Sequence, residues 1–215
     1  MNTTSNLFVS KEDVIKRNLK YLLVVKNLED NAMTDCSNIE KIEILEGVTT
    51  IGKEAFQCCH NLRSIRIPAS ITSIGSYAFC ECENLTDVYY NGTLEKWCDI
   101  NFIDEVSNPL CYAKHFYVLD ENDNWCEVTD IVIPEGVTEI KETTFYLCTA
   151  LKSIIVPDAV LSIGRSAFLL CQALSTVTIG KGLKTIPGGN GNISHRVGAL
   201  VGNGRHRFPR GKQSQ

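Results

Sequence analysis

The sequence predicts a stacked solenoid, and three observations carry that prediction. A 23-residue block recurs along the chain: IEKIEILEGVTTIGKEAFQCCHN (39–61) is followed at once by LRSIRIPASITSIGSYAFCECEN (62–84). VTDIVIPEGVTEIKETTFYLCTA (128–150) and LKSIIVPDAVLSIGRSAFLLCQA (151–173) repeat it downstream. Within each block a β-branched stretch alternates with period 2, as a strand with one buried face requires. A fixed period in the range of about 20–29 residues marks a repeat array, in which no single unit buries its own apolar face.

The positions of the block each have a physical reason. Aligned on L-x-x-I-x-I-P-x-x-V-x-x-I-G-x-x-A-F-x-x-C-x-x, the x-I-x-I stretch is a short strand. The proline after it removes a backbone donor and ends the strand. The V-x-x-I pair brings two more apolar groups inward across a bend. The glycine is expected where a turn needs positive φ. Ala-Phe puts a small and a large side chain on the far wall, and cysteine, small and soft, suits the tight turn into the next strand.

In chain order, residues 1–38 are expected to form an N-terminal capping segment, helical from Ser10, with Val14, Ile15, Leu19, Leu22, Leu23 and Leu28 on one face. Tyr21–Val25 is also compatible with a strand. Residues 39–186 are the solenoid, about six coils. Its third coil starts with Leu85, Val88, Tyr90 and Leu94 and then departs. Residues 91–127 read as an irregular insert without the G-x-x-A-F-x-x-C half: a helical turn near 93–98, a loop with Pro109, a strand at 115–119 and the turn ENDN. A sixth coil starts with Leu174, Val177, Ile179, Leu183 and Ile186. Residues 187–215 are rich in glycine and arginine, lack the spacing and are expected to be disordered. A truncated gene or altered reading frame would produce such an ending.

Composition narrows the function classes. The chain has 215 residues, 44% hydrophobic and 21% charged, with net charge −4. That is the profile of a folded chain, and it disfavours nucleic acid or an anionic membrane as a partner of the whole. Arg196, Arg205, Arg207, Arg210 and Lys212 nevertheless concentrate in the acid-free tail. No apolar run reaches the ~18–20 residues of a membrane span. The N-terminus has no basic region followed by an apolar core, so a cytoplasmic location is the default expectation. On that basis the ten cysteines are expected to be thiols.

The motif I-P-x-x-V-x-x-I-G-x-x-A-F-x-x-C resembles the BspA-like, or treponemal-type, leucine-rich repeat over about 39–186. VYYNGTLEKWCDI and NPLCYAKHFYV are similar to stretches that often break its arrays. Local departures are Leu45, Asn91 and Gly180 at the proline position, Lys141 at the glycine and Thr144 at the alanine. The resemblance implies a right-handed leucine-rich-repeat solenoid. Its parallel β-sheet would lie on the concave side, with short strands, turns and short helical segments on the convex side. It also implies a surface or secreted protein, with adhesion and host-protein binding among the family's roles.

The default binding surface of such a solenoid is the outward row of its strands. That row contains Arg66, Asp87, Tyr89, Asp130, Val132, Ser153, Ile155, Thr176 and Thr178, together with Lys41, Glu43 and Ser64. Tyr89, Val132 and Ile155 form an apolar stripe with a charged border, the mark of a protein-binding surface. Strand propensity alone explains β-branched residues there equally well. Cys59, Cys82, Cys148 and Cys171 share one repeat position and read as a buried structural ladder. Cys58-Cys59-His60 and Cys80-Glu81-Cys82 have the residue types of a zinc site, as do Cys98, Cys111 and Cys126 with His115. Packing is the favoured reading, and no metal or cofactor is expected. No nucleophile elbow, phosphate loop or zinc-protease helix is present. The expectation is a non-enzymatic protein that binds a protein partner, with no small-molecule substrate. The alternatives are a cell-surface adhesin for host matrix protein and nucleic-acid or acidic-partner binding through the tail.

Overall fold

The computed structural model describes residues 21–25, 28–120 and 122–184, with backbone alone at 21–25. The period-2 stretches are strands: β1 (Tyr21–Val25), β2 (Lys41–Ile44), β4 (Ser64–Ile67), β6 (Asp87–Tyr90) and β8 (His115–Leu119). The V-x-x-I bends form a second, shorter set, namely β3 (Thr50–Ile51), β5 (Ser73–Ile74) and β7 (Asn101–Phe102). After a hairpin strand β9 (Trp125–Glu127), the pattern resumes with β10 (Asp130–Val132), β11 (Glu139–Ile140), β12 (Ser153–Val156), β13 (Ser162–Ile163) and β14 (Thr176–Ile179). Long strands pair with long strands and short with short, all parallel except the β8–β9 hairpin. The fold is a leucine-rich-repeat solenoid with little helix.

Every repeated apolar position points into one continuous core. In the coil of 62–84, Leu62, Ile65, Ile67, Ile71, Ile74, Ala78, Phe79 and Cys82 are all buried. Each leucine, isoleucine and phenylalanine among them contributes about 1.5–3 kcal/mol before chain entropy is subtracted. The phenylalanines stack between coils, Phe56 on Phe79 and Phe145 on Phe168, each pair with ring centroids 5.3 Å apart.

The convex turns are built from a recurrent pair of left-handed residues four apart. The pairs are Asn31/Asp35, Glu54/Cys58, Tyr77/Glu81, Thr143/Leu147 and Ser166/Leu170, with φ between 54° and 62°. None is glycine, although this conformation disfavours most side chains. Backbone bonding to the next coil offsets the strain. Glu54, Phe56 and Cys58 donate their N–H groups to the carbonyls of Ser76, Ala78 and Cys80, each at 2.9 Å. Thr143, Phe145 and Leu147 do the same to Arg165, Ala167 and Leu169. Alternate residues thus form a ladder without a regular strand.

The glycine expectation needs correction. Gly52, Gly75 and Gly164 do not sit at positive φ; Gly47 does, at 94°. What the repeat glycine supplies is closeness. A Cβ on Gly75 would lie 2.6 Å from Lys53 N and 2.8 Å from Gly52 C, and one on Gly164 would lie 2.3 Å from Glu142 N. Lys141 fits at the equivalent position because the coil beneath it is irregular, and its ammonium donates to the Asp99 carbonyl.

The N-terminal expectation also changes where it can be checked. Tyr21–Val25 is a strand, not part of a helix, because the edge of β2 offers it a parallel partner. Leu28 bridges to Ile51, and Met33 and Cys36 are buried 23 residues before Phe56 and Cys59. Residues 28–38 are therefore half a repeat. Residues 1–20 and 26–27 of the expected capping segment, with the start of the helix at Ser10, lie outside the described residues, as does the tail after residue 184.

Most of the expected insert at 91–127 is a coil. Ile51 to Ile65, Ile74 to Val88 and Phe102 to Phe116 each span 14 residues, so the convex half keeps its length. Two 3-10 turns, Glu105–Ser107 and Pro109–Cys111, replace the left-handed pair. The added residues lie between Tyr90 and Phe102, in the short helix α1 (Leu94–Cys98), capped by Thr93 Oγ1. Side chains there replace the missing backbone acceptors: Tyr77 N–H donates to the Asp104 carboxylate at 3.2 Å and Glu81 N–H to the Tyr112 hydroxyl at 3.0 Å. Buried Trp97 and Asn108 donate to the Thr144 carbonyl at 3.0 and 3.1 Å, which joins the two regular blocks.

The cysteine ladder has a fifth rung, Cys36, and its thiols donate hydrogen bonds. Cys59, Cys82 and Cys171 reach the carbonyls of Met33, Phe56 and Phe145, each at 3.1 Å. None of the ten cysteines is in a disulfide. Burial pushes the thiols of Cys82 and Cys148 up to about 12, and those of Cys59 and Cys171 further.

Two predictions follow from this packing. Gly75→Ala forces a methyl against the backbone of the neighbouring coil and should destabilise by about 1–3 kcal/mol, read as a lower urea midpoint. In a native alkylation time course followed by mass spectrometry, exposed Cys126 should react first. Cys59, Cys82, Cys148 and Cys171 should stay unmodified, and raising the pH from 7 to about 9 should not expose them, because their thiolates form only far above that range.

Candidate protein-binding face

The period-2 alternation of the long strands sends every second side chain outward, and the parallel pairing lines these up in rows. One row runs Lys41, Ser64, Asp87, His115; the next runs Glu43, Arg66, Tyr89, Tyr117. In the second block the rows are Asp130, Ser153, Thr176 and Val132, Ile155, Thr178. The predicted residues therefore all lie on strands, in the expected positions.

They do not form one stripe. The long strands divide into a six-stranded sheet, β1-β2-β4-β6-β8-β9, and a three-stranded sheet, β10-β12-β14. The antiparallel strand β9 occupies the edge of β8 that β10 would otherwise take. Tyr89 belongs to the first sheet, and Val132 and Ile155 to the second.

In the first sheet Tyr89 is the centre of an aromatic cluster. Its ring stacks on Tyr117 with centroids 4.7 Å apart and planes 10° from parallel. Trp125, brought over by the hairpin, meets Tyr89 edge-on at 5.1 Å. The Arg66 guanidinium lies 5.8 Å from the Tyr89 ring centre and 5.5 Å from that of Trp125, a cation–π position on both. Glu43 pairs with Arg66 at 3.7 Å. Partial burial holds the Tyr89 and Tyr117 hydroxyls above the usual phenol range, so both stay neutral at physiological pH. A polar border surrounds the cluster. His115 Nδ1 lies 2.6 Å from Glu127 Oε1, and the Asp87 carboxylate accepts from Thr86 at 2.6 Å.

The second sheet is aliphatic and hydroxylic. Val132 is 60% exposed and Ile155 45%. Asp130 accepts from Ser153 at 2.6 Å and from Thr129 at 2.9 Å, and these bonds lower its pKa.

Sequence reasoning missed Tyr117, Trp125 and His115 as face residues. The first and third were legible in HFYVL, whose alternation repeats DVYY at a spacing of 28, from Val88 to Phe116. Trp125 had no such signal, since its place depends on a hairpin that folds back antiparallel. The zinc-type groupings also change. Among the described residues, the group of ligand atoms gathered within 4.8 Å is Cys58, His60 and Glu81, without Cys80. In the former insert, Cys98 is buried, Cys126 is exposed and His115 is engaged with Glu127. No helix among the described residues is long and apolar enough to cross a membrane.

Several solved structures are similar to this chain. A leucine-rich-repeat protein from T. pallidum is 17% identical, with 87% of this chain and 85% of that one aligned and a TM-score of 0.46. The pneumococcal vaccine antigen PcpA is 15% identical over 77% of this chain and 52% of its own, about half its length, with a TM-score of 0.42. A leucine-rich cell surface protein from Faecalibacterium prausnitzii is 16% identical over 80% and 70%, with a TM-score of 0.31. No curated protein matches. The model of the BspA type leucine rich repeat region matches six copies over residues 6–107 and 123–190, which together cover most of the chain, and the chain belongs to that family.

Proposed function

We propose that this chain is a non-enzymatic binding protein that holds a protein partner on the outward face of its first sheet, with Arg66, Tyr89, Tyr117 and Trp125 as the anchor. The repeat family supports the general class, a repeat protein used in protein interaction. The observation that carries the finer reading is the aromatic cluster itself. Tryptophan, tyrosine and arginine are the residues that dominate binding energy at protein interfaces. Here they are stacked against one another and held by strand pairing, so little side-chain freedom remains to be lost on binding. Asp87, His115 and Glu127 supply the polar border such an anchor uses to exclude water. The exposed pair Val132 and Ile155 extends the apolar area in the second sheet, with Asp130, Ser153, Thr176 and Thr178 around it. The alternative through the basic tail lies outside the described residues.

The test begins with affinity capture on the full chain, identification of the captured protein, and titration of that protein in purified form. The double variant Tyr89→Ala/Trp125→Ala should weaken binding by about 2 kcal/mol or more, roughly 30-fold in Kd. Its urea unfolding midpoint should stay near that of the parent chain. Arg66→Glu should slow association and remove part of the salt dependence. Unchanged affinity in both variants rejects the aromatic face. Loss confined to Val132→Ser or Ile155→Ser transfers the site to the second sheet.

A further inference from the structure

The convex turns carry a group of side chains that neither the core nor the proposed face uses. Cys58, His60 and Glu81 bring a sulfur, an imidazole nitrogen and a carboxylate oxygen within 4.8 Å of one another. The Cys58 thiol already donates to Glu81 Oε2 at 3.5 Å. We propose that these three side chains form a binding site for a divalent cation of the zinc class, with a fourth position left to solvent.

The local backbone explains why the three converge. In Cys58-Cys59-His60 the middle side chain turns inward and donates to the Met33 carbonyl, which leaves the outer two on the surface. Cys58 is the second left-handed residue of its coil and Glu81 that of the next, so the repeat stacks one over the other. Each is fixed by its main chain. Cys58 N–H donates to Cys80 O and His60 N–H to Cys58 O, both at 2.9 Å, and Glu81 N–H donates to the Tyr112 hydroxyl at 3.0 Å. The Asn84 amide reaches His60 O at 2.6 Å. The left-handed backbone does not itself call for such side chains, because Leu147 and Leu170 occupy the same column in the second block.

The donor set selects the cation. Thiolate and imidazole suit zinc or cobalt, and they do not suit magnesium or calcium, which take oxygen. With metal–sulfur bonds of about 2.3 Å and metal–nitrogen or metal–oxygen bonds of about 2.0–2.2 Å, tetrahedral ligand atoms stand roughly 3.3–3.8 Å apart. Rotation of exposed side chains covers that difference. On binding, the thiol proton leaves to solvent and the cation takes its place between sulfur and carboxylate. Partial burial and then Glu81 push the unmetallated thiol up to about 11, with Asp35 of the preceding coil adding to it, so in its absence the sulfur keeps its proton.

The test uses the full reduced chain titrated with Co²⁺, whose thiolate charge-transfer band reports a sulfur ligand directly, followed by displacement with Zn²⁺. One equivalent should bind. Cys58→Ser should abolish the band, and His60→Ala and Glu81→Gln should each weaken binding and alter the ligand-field spectrum. Cys126→Ser and Cys80→Ser should leave the titration as it is, and far-UV circular dichroism should show every variant folded. Three results overturn the proposal: no stoichiometric band, a band that persists in Cys58→Ser, or a spectrum indifferent to both His60→Ala and Glu81→Gln, which would indicate an adventitious thiol only.

Discussion

The backbone ladder that joins each coil to the next constrains everything else in this protein. Glu54, Phe56 and Cys58 each donate to a carbonyl 22 residues ahead, and the long and short strands pair residues 23 apart, as the repeat period requires. A coil that drifted in length would leave a buried row of N–H and C=O groups unpaired, at a cost of about 1–3 kcal/mol for each group. The perimeter of the coil is therefore fixed before any side chain is chosen. Left-handed residues persist in the convex turns because they aim alternate N–H groups along the stack. The repeat glycine persists because neighbouring backbones come too close there for a Cβ.

The irregular coil tests this constraint most severely. Its added residues are confined to the stretch between Tyr90 and Phe102, where α1 stands off from the stack. The half that must bond to its neighbours keeps its 14-residue span from Phe102 to Phe116. Where its backbone cannot supply an acceptor, Asp104 and Tyr112 do so with side chains. Trp97 and Asn108 hold the joint to the next block through buried bonds to Thr144, while Trp97 packs among Tyr90, Phe102 and Phe116. The departure from the repeat is thus a connector between two regular arrays.

That connector also shapes the surface. By placing an antiparallel strand at the edge of β8, it splits the long-strand face into two sheets of different chemistry. One carries Tyr89, Tyr117, Trp125 and Arg66, and the other Val132, Ile155 and a set of hydroxyls. The convex side is likewise unequal. One block presents Cys58 and Glu81 in a column where the other presents Leu147 and Leu170. Identical backbone geometry in the two blocks leaves the outward positions free to differ, since stacking depends on the inward ones alone.

The sequence by itself determined the architecture and the core. Ile65, Ile67, Phe79 and Cys82 could be placed inward from the 23-residue period because each inward position meets the same neighbours in every coil. The ladder of Cys59, Cys82, Cys148 and Cys171 followed for the same reason, and so did the outward row from Arg66 to Thr178. Only the tertiary structure decided what depends on interactions between coils. It made Tyr21–Val25 a strand, because β2 offered that segment a parallel edge. It turned residues 101–118 into a coil through a register of 28, which a search at period 23 does not reveal. It assigned the glycines to close approach and gave the positive φ to residues such as Cys58 and Glu81, because stacking bonds compensate the strain. Trp125 reached Tyr89 through an antiparallel hairpin that no local pattern records, whereas Glu81 stands over Cys58 at the repeat period itself.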